Sequence, residues 1–116
     1  MRLIQRSEFF CVNVLSEDQD RVAKAFAGMG PKELDRFAVG EWTTLVSGAP
    51  ALAGAVAVLD CRVAETCDQF THTLFFGDVI ATSLQPGRDT LLYGARRFRQ
   101  LRKIFLALAD DESEYL

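Results

Sequence analysis

The alternation of apolar and polar positions divides the 116-residue chain into strand-like runs separated by short helical and turn segments. Phe9-Phe10-Cys11-Val12-Asn13-Val14-Leu15 is rich in aromatic and β-branched residues and predicts a buried strand with one polar interruption at Asn13. Ser16-Glu17-Asp18-Gln19 fits a capping box, with Ser16 as N-cap and Gln19 three residues on. The helix it opens is expected to run to about Ala27, burying Val22, Ala25, Phe26 and Met29 and wetting Asp20, Arg21 and Lys24. Gly28 and Gly30 stop it, and Pro31 starts a short turn or helix through Leu34 to Phe37.

Residues 42–46 predict a short strand, and Ser47-Gly48-Ala49-Pro50 a turn. Residues 53–64 alternate with period two. Ala55, Ala57, Leu59, Cys61 and Val63 share one face; Val56, Val58, Asp60 and Arg62 share the other, wetter toward its far end. A connection over 66–70 leads to a second long strand over 71–83. Gly77 inside it marks a bulge or a close backbone approach. Pro86-Gly87 is a turn and 90–93 a further strand. Phe98, Leu101, Phe105 and Leu108 then follow helical spacing, opposite a basic face of Arg96, Arg97, Arg99, Arg102 and Lys103 and before an acidic tail. Consecutive strands with peripheral helices predict a mainly β fold, a barrel or sandwich in one domain over 1–116.

Composition narrows the class. Hydrophobic residues make up 49% and charged residues 25%, which is globular, and no apolar run approaches the ~20 residues of a membrane-spanning helix. The opening Met1-Arg2-Leu3-Ile4-Gln5-Arg6 turns polar too soon for a signal peptide. Cys11, Cys61 and Cys67 are odd in number and lie in apolar stretches, so buried thiols in a reducing cytoplasm are expected. A net charge of −3 removes the simplest electrostatic case for nucleic acid.

Local chemistry is sparse. Neither GxGxxG nor GxxxxGK[ST] is present, and one histidine with widely spaced cysteines makes a metal site improbable. No nucleophile motif supports a hydrolase. His72, just after a polar connection, is either a strand-end imidazole satisfied by backbone or a donor to a phosphate or carboxamide. The arginines after Tyr93 either grip phosphates or form a solvated face. Phe9, Phe10, Phe75 and Phe76 either pack a core or stack on a planar cofactor. Ser16 and Gln19 either cap a helix or serve an anion there.

An ordered series of segments resembles the flavin reductase family, small FMN-binding split-barrel reductases. Phe10-Cys11-Val12-Asn13-Val14-Leu15-Ser16-Glu17-Asp18-Gln19 is similar to the family's F-x-V-N-V-L-S-x-x-Q. Gly48-Ala49-Pro50-Ala51-Leu52-Ala53-Gly54-Ala55 resembles G-x-P-x-L-x-G-A, and Leu59-Asp60-Cys61-Arg62-Val63 resembles L-x-C-x-V. Residues 68–79 resemble the G-D-H-x-l-f-x-G-x-V hairpin, with Phe70-Thr71 in place of Gly-Asp, and Leu91-Leu92-Tyr93 resembles P-L-L-Y. The glycine expected in the arginine-rich segment is replaced, giving Gly94-Ala95-Arg96-Arg97-Phe98.

The resemblance implies hydride transfer from NADH or NADPH to FMN, FAD or riboflavin, which supplies reduced flavin to a partner monooxygenase. The cofactors carry the chemistry, so no catalytic side chain is assigned. By the motif match, His72 touches the nicotinamide nucleotide, Asn13, Ser16 and Gln19 lie near the flavin, and Arg97 is a phosphate candidate. A cytoplasmic homodimer is expected. The family's N-terminal strands would precede Met1, so the expected fold is an incomplete FMN-binding split barrel. Three readings stay open: an active reductase, a non-catalytic flavin-binding or dimerisation module, and an inactive fragment of a longer reductase.

Overall fold

The computed structural model describes residues 7–100. In chain order its elements are β1 (Phe9–Val14), α1 (Asp20–Phe26), a 3-10 turn (Arg36–Ala38), β2 (Trp42–Thr43), β3 (Ala51–Leu52), β4 (Ala57–Gln69), β5 (His72–Leu84), β6 (Leu91–Gly94) and β7 (Arg97–Gln100). The fold is mainly β. Antiparallel pairing gives a three-stranded sheet in the order β1-β4-β5 and two small sheets, β2-β3 and β6-β7. Among the described residues these sheets do not close into a barrel, in keeping with the incomplete split barrel expected.

β1 pairs with β4 from Phe9↔Arg62 to Val14↔Ala57, so it covers only the inner half of the long β4–β5 hairpin. Among the described residues the outer half pairs only with itself, and it ends in a two-residue turn, Phe70-Thr71, closed by Gln69↔His72. Two register shifts interrupt the hairpin. Asp60↔Ala81 is followed by Cys61↔Val79, which leaves Ile80 unmatched on β5; Val63↔Gly77 is followed by Glu65↔Phe76, which leaves Ala64 unmatched on β4. Gly77 lies at the second shift, and a Cβ there would meet Phe10 Cζ at 2.6 Å and Cys61 Cβ at 2.9 Å. The bulge and the close approach expected of this glycine are both present.

The core is small and lies on the inner half. Val22, Ala51, Leu52, Ala55 and Val58 form its buried cluster, with Cys11, Leu15, Val39, Trp42 and Leu45 packed against it. A seven-residue helix is too short to be stable alone, so α1 is held by Val22, which joins this cluster, and by the burial of Ala25. The chain leaving β1 is tied to the start of β6 by the Ser16↔Thr90 bridge and by Leu91 N–H donating to Leu15 O at 2.9 Å.

Several expectations need correction. The described part of the basic segment predicted as helix, residues 96–100, is the turn residue Arg96 and strand β7 of a hairpin with β6, the strand expected near 90–93; the rest of that prediction lies outside the described residues. Ala95 and Arg96, both left-handed with φ of 52° and 65°, reverse the chain. Tyr93 packs at a tilt against Phe98 across the pair with centroids 4.9 Å apart, a cross-strand contact that helical spacing does not reveal. Ser16 is not the N-cap, a position Gln19 occupies without a side-chain cap. Half of the capping box does form: Ser16 N–H donates to Gln19 Oε1 at 3.0 Å, but the Ser16 hydroxyl donates to Asp18.

Met29 falls past the end of α1 and is exposed, and the segment after Pro31 coils into only one short turn capped by Asp35. β4 starts at Ala57 rather than near 53 because left-handed Gly54 turns the chain first. At the other end β4 continues through residues 66–69, in place of the connection expected over 66–70. Of the cysteines only Cys61 is buried; Cys11 and Cys67 are half-buried, and all three are free. Val58 and Asp60, on the face opposite Leu59 and Cys61, are 3% and 0% exposed, and the strand becomes more exposed toward its far end.

Candidate functional site

A groove of about 940 Å³ opens between β1, α1, Trp42 and the loop 47–50. Its floor is β1, through residues that include Phe10, Cys11 and Asn13, and Val22 and Phe26 of α1 form one side. At one end Phe26, Phe37 and Trp42 pack edge-on or tilted, with centroids 5.1–5.5 Å apart. The indole N–H donates to Val39 O at 2.9 Å, which fixes the ring in the groove wall. The volume is that of a small-molecule or cofactor site, and aromatic faces with backbone groups suit a planar ring system. Among the described residues its lining is mostly apolar and aromatic, with Asn13 and Ser47 among the polar groups.

The opposite wall, Ser47-Gly48-Ala49-Pro50, lies between β2 and β3 and has no strand pairing of its own. Side chains hold it instead. Asp60 Oδ2 accepts from Val46 N–H at 2.9 Å and Ser47 N–H at 2.8 Å, and its Oδ1 accepts from the Ser47 hydroxyl at 2.6 Å. The Ser47 hydroxyl oxygen in turn accepts from Ala49 N–H at 3.1 Å. The Cys11 thiol lies 3.6 Å from Asp60 Oδ1 and 3.7 Å from Ala49 O. Asn13 completes the frame: its amide donates to Pro50 O at 3.2 Å and its carbonyl accepts from Leu52 N–H at 2.8 Å.

Burial works against the Asp60 charge, but the Ser47 hydroxyl, the N–H groups of Ser47 and Val46 and the Cys11 thiol outweigh it and hold the carboxyl below its ordinary value. Burial, reinforced by the Asp60 charge, pushes the Cys11 thiol up to about 11. Cys61 is raised by the same two causes in the same order. These thiols are neutral at physiological pH and are poor nucleophiles.

The structure does not gather the five sequence-predicted site residues in one place. Asn13 lines the groove, with its amide committed to the loop. Ser16 is buried beside it in the chain, and Gln19 Nε2 donates to Ala53 O at 3.0 Å. Both act on the strand-to-helix junction. His72 is exposed at the far end of the hairpin, with Nδ1 3.0 Å from the Thr71 hydroxyl. The last β5 residue opposite the β1-paired stretch is Asp78, across from Arg62, so His72 lies six residues, roughly 20 Å, beyond it along the strand. Arg97 starts β7, exposed, opposite Gly94.

Sequence reading missed Asp60. The available signal was a lone carboxylate in an apolar run, together with an upstream Ser-Gly turn whose N–H groups needed acceptors.

Comparison with known proteins agrees with this architecture. Residues 1–102 match the flavin reductase like domain. The FMN reductase (NADH) RutF of Ancylobacter novellus is 40% identical over 88 residues, covering 76% of this chain and 48% of that protein. The RutF of Bradyrhizobium diazoefficiens is 37% identical over 110 residues, 95% of this chain and 61% of that one. Among solved structures, the Streptomyces globisporus NADH:FAD oxidoreductase SgcE6 superposes with a TM-score of 0.77 at 35% identity, over 86% of this chain and 60% of that one. The flavin reductase PheA2 gives 0.75 at 32% identity, over 86% and 61%. The chain thus spans about half to three fifths of the length of these relatives. Motif series, strand order and family match agree, and the chain belongs to the flavin reductase like family.

Proposed function

We propose that the chain carries the flavin-binding groove of an NAD(P)H:flavin oxidoreductase, which passes hydride from NADH or NADPH to FMN or FAD and supplies reduced flavin to a partner monooxygenase. The observation that carries this reading is the aromatic groove against β1, framed by the Asn-containing strand and the Gly-x-Pro loop through which the chain resembles its family. The flavin ring, when bound, supplies the hydride-accepting chemistry. The protein's part is to bind and orient it: aromatic walls for the ring, a fixed backbone at 47–50, and a surface from which water is excluded.

In this reading Asn13 borders the flavin, Ser16 and Gln19 hold the junction beside it, His72 meets the nicotinamide nucleotide and Arg97 a phosphate. Because His72 stands far along the hairpin from its own groove, the reading includes a homodimer that brings hairpin and groove of two copies together. A cytoplasmic location is supported by the three free thiols. No helix among the described residues is long and apolar enough to cross a membrane.

The test is NAD(P)H oxidation at 340 nm, which should depend on added FMN or FAD; no flavin-dependent oxidation at high protein concentration would refute the enzymatic reading. His72→Ala should raise the Michaelis constant for NAD(P)H and spare flavin binding, and an unchanged constant would remove the assignment of His72. The distance of His72 from the groove of its own chain favours one second reading, a flavin-binding module without turnover. Saturable FMN binding without oxidation would select it.

A further inference from the structure

We propose that Asp60 is a positioning residue that sets the flavin groove by fixing the loop 46–50 as its wall; the proposal rests on the flavin-binding reading above.

Asp60 is fully buried, yet no lysine or arginine among the described residues pairs with it. A buried carboxylate without a counter-cation is costly unless donors surround it. Its donors come from one loop and one strand: Val46 N–H, Ser47 N–H and the Ser47 hydroxyl, with the Cys11 thiol beside them. The arrangement is aimed at the loop and contributes little elsewhere. Through Ser47 it extends to Ala49 N–H, so two consecutive N–H groups and a third two residues on are oriented from a single carboxylate. Gly48, with φ of +88°, supplies the left-handed step this path requires. The wall 47–50 is therefore fixed by the Asp60 carboxylate and, through it, by the Ser47 hydroxyl.

Charge is needed as well as shape. An asparagine at 60 keeps the volume but has one acceptor oxygen where the carboxylate has two. With its oxygen kept toward the Val46 and Ser47 N–H groups, its amide nitrogen would face the Ser47 hydroxyl and the Cys11 thiol, so the charge-assisted bonds that hold this end of the loop are lost.

The experiment uses the full chain and its single tryptophan, Trp42, which lies in the groove wall. FMN is titrated while Trp42 fluorescence is followed, and FMN-dependent NADH oxidation is measured in parallel, for wild type, Asp60→Asn, Ser47→Ala and Ser47→Thr. Thermal unfolding of each variant sets a temperature at which all are folded. Asp60→Asn should weaken FMN binding by about tenfold or more, as expected when a wall shifts by a fraction of an ångström. Ser47→Ala, which removes one donor to Asp60 and the acceptor of Ala49 N–H, should weaken it by roughly threefold to tenfold, while Ser47→Thr, which keeps the hydroxyl, restores binding. The Michaelis constant for FMN should rise with these losses, leaving kcat at saturating FMN within about twofold.

Equal FMN affinity in folded Asp60→Asn and Ser47→Ala, with wild type binding, would overturn the positioning role alone. Should Asp60→Asn fail to fold, the Ser47 pair decides: equal affinity in Ser47→Ala and Ser47→Thr overturns the role. Absence of FMN binding by wild type would overturn the flavin reading and the role with it.

Discussion

The inner and outer halves of the β4–β5 hairpin are built from the same two strands and meet opposite fates. The inner half lies under β1 and the loop 46–50, where Val58, Asp60 and Cys61 are buried. Among the described residues the outer half has only its own pairing, and Phe70, Leu74 and Phe76 stand exposed. Pairing alone therefore does not make a core; a third strand and a side-chain-anchored loop do. Substitutions on the inner half should be costly, and those at the tip should cost nothing or help.

The largest expected effect is Asp60→Ala. It leaves three loop donors without their acceptor, and unsatisfied buried groups cost about 1–3 kcal/mol each. A loss of roughly 3 kcal/mol or more in urea unfolding is expected, and a wild-type midpoint would break the contrast between the halves. Gly77→Ala comes next, because its Cβ would need space held by Phe10 and Cys61. Overpacking of this kind costs about 1–3 kcal/mol, measurable by the same titration.

The pH dependence should also follow the inner half. Asp60 titrates below its ordinary value in the folded state, so its stabilisation is complete above an unfolded value of about 3.9 and is lost as pH falls through the folded value. Asp18, lowered mainly by the Ser16 hydroxyl, adds to the same acid arm, so Asp60→Asn should reduce that arm and not abolish it. On the alkaline side the sign reverses. The unfolded Cys11 thiol ionises near 9.0 and the folded one at about 11, so stability falls as pH rises between them. Cys11→Ala should flatten most of this arm in chemical unfolding at pH 8–11, the remainder belonging to Cys61.

The smallest effect is at the tip. Phe70 holds φ of 55° with its side chain fully exposed, so Phe70→Gly should relieve strain and stabilise by about 1 kcal/mol. A loss on thermal unfolding would show that the tip is packed after all.

Much of this was legible in the sequence because it is local. β1 with its polar interruption, the glycines ending α1, the two long strands and the crowding at Gly77 all follow from spacing and residue type. What was not legible depends on distant partners. Asp60 alternates like a solvent-facing residue, and only Val46 and Ser47, brought from 13–14 positions upstream, make it an interior group. Ser16 looked like an N-cap until its pairing with Thr90. Arg96 to Gln100 satisfied a helical spacing that a left-handed Ala95-Arg96 turn overrides. The groove followed the same rule: Asn13 was found from its strand and motif, while the frame that aims it at residues 50 and 52 was invisible.

The paired bulges at Ile80 and Ala64 have a consequence for how this hairpin can change length. One slip adds a residue to β5 and the other adds a residue to β4, so together they cancel, and the register beyond Glu65 is again that of Ala57↔Leu84. Insertions or deletions of matched residue pairs beyond Glu65 would lengthen or shorten the arm without rotating any inner side chain off its face. An unmatched insertion between Cys61 and Val63 would turn Asp60 or Gly77 away from its neighbours. The hairpin is thus free to vary in reach while the frame behind the groove stays fixed.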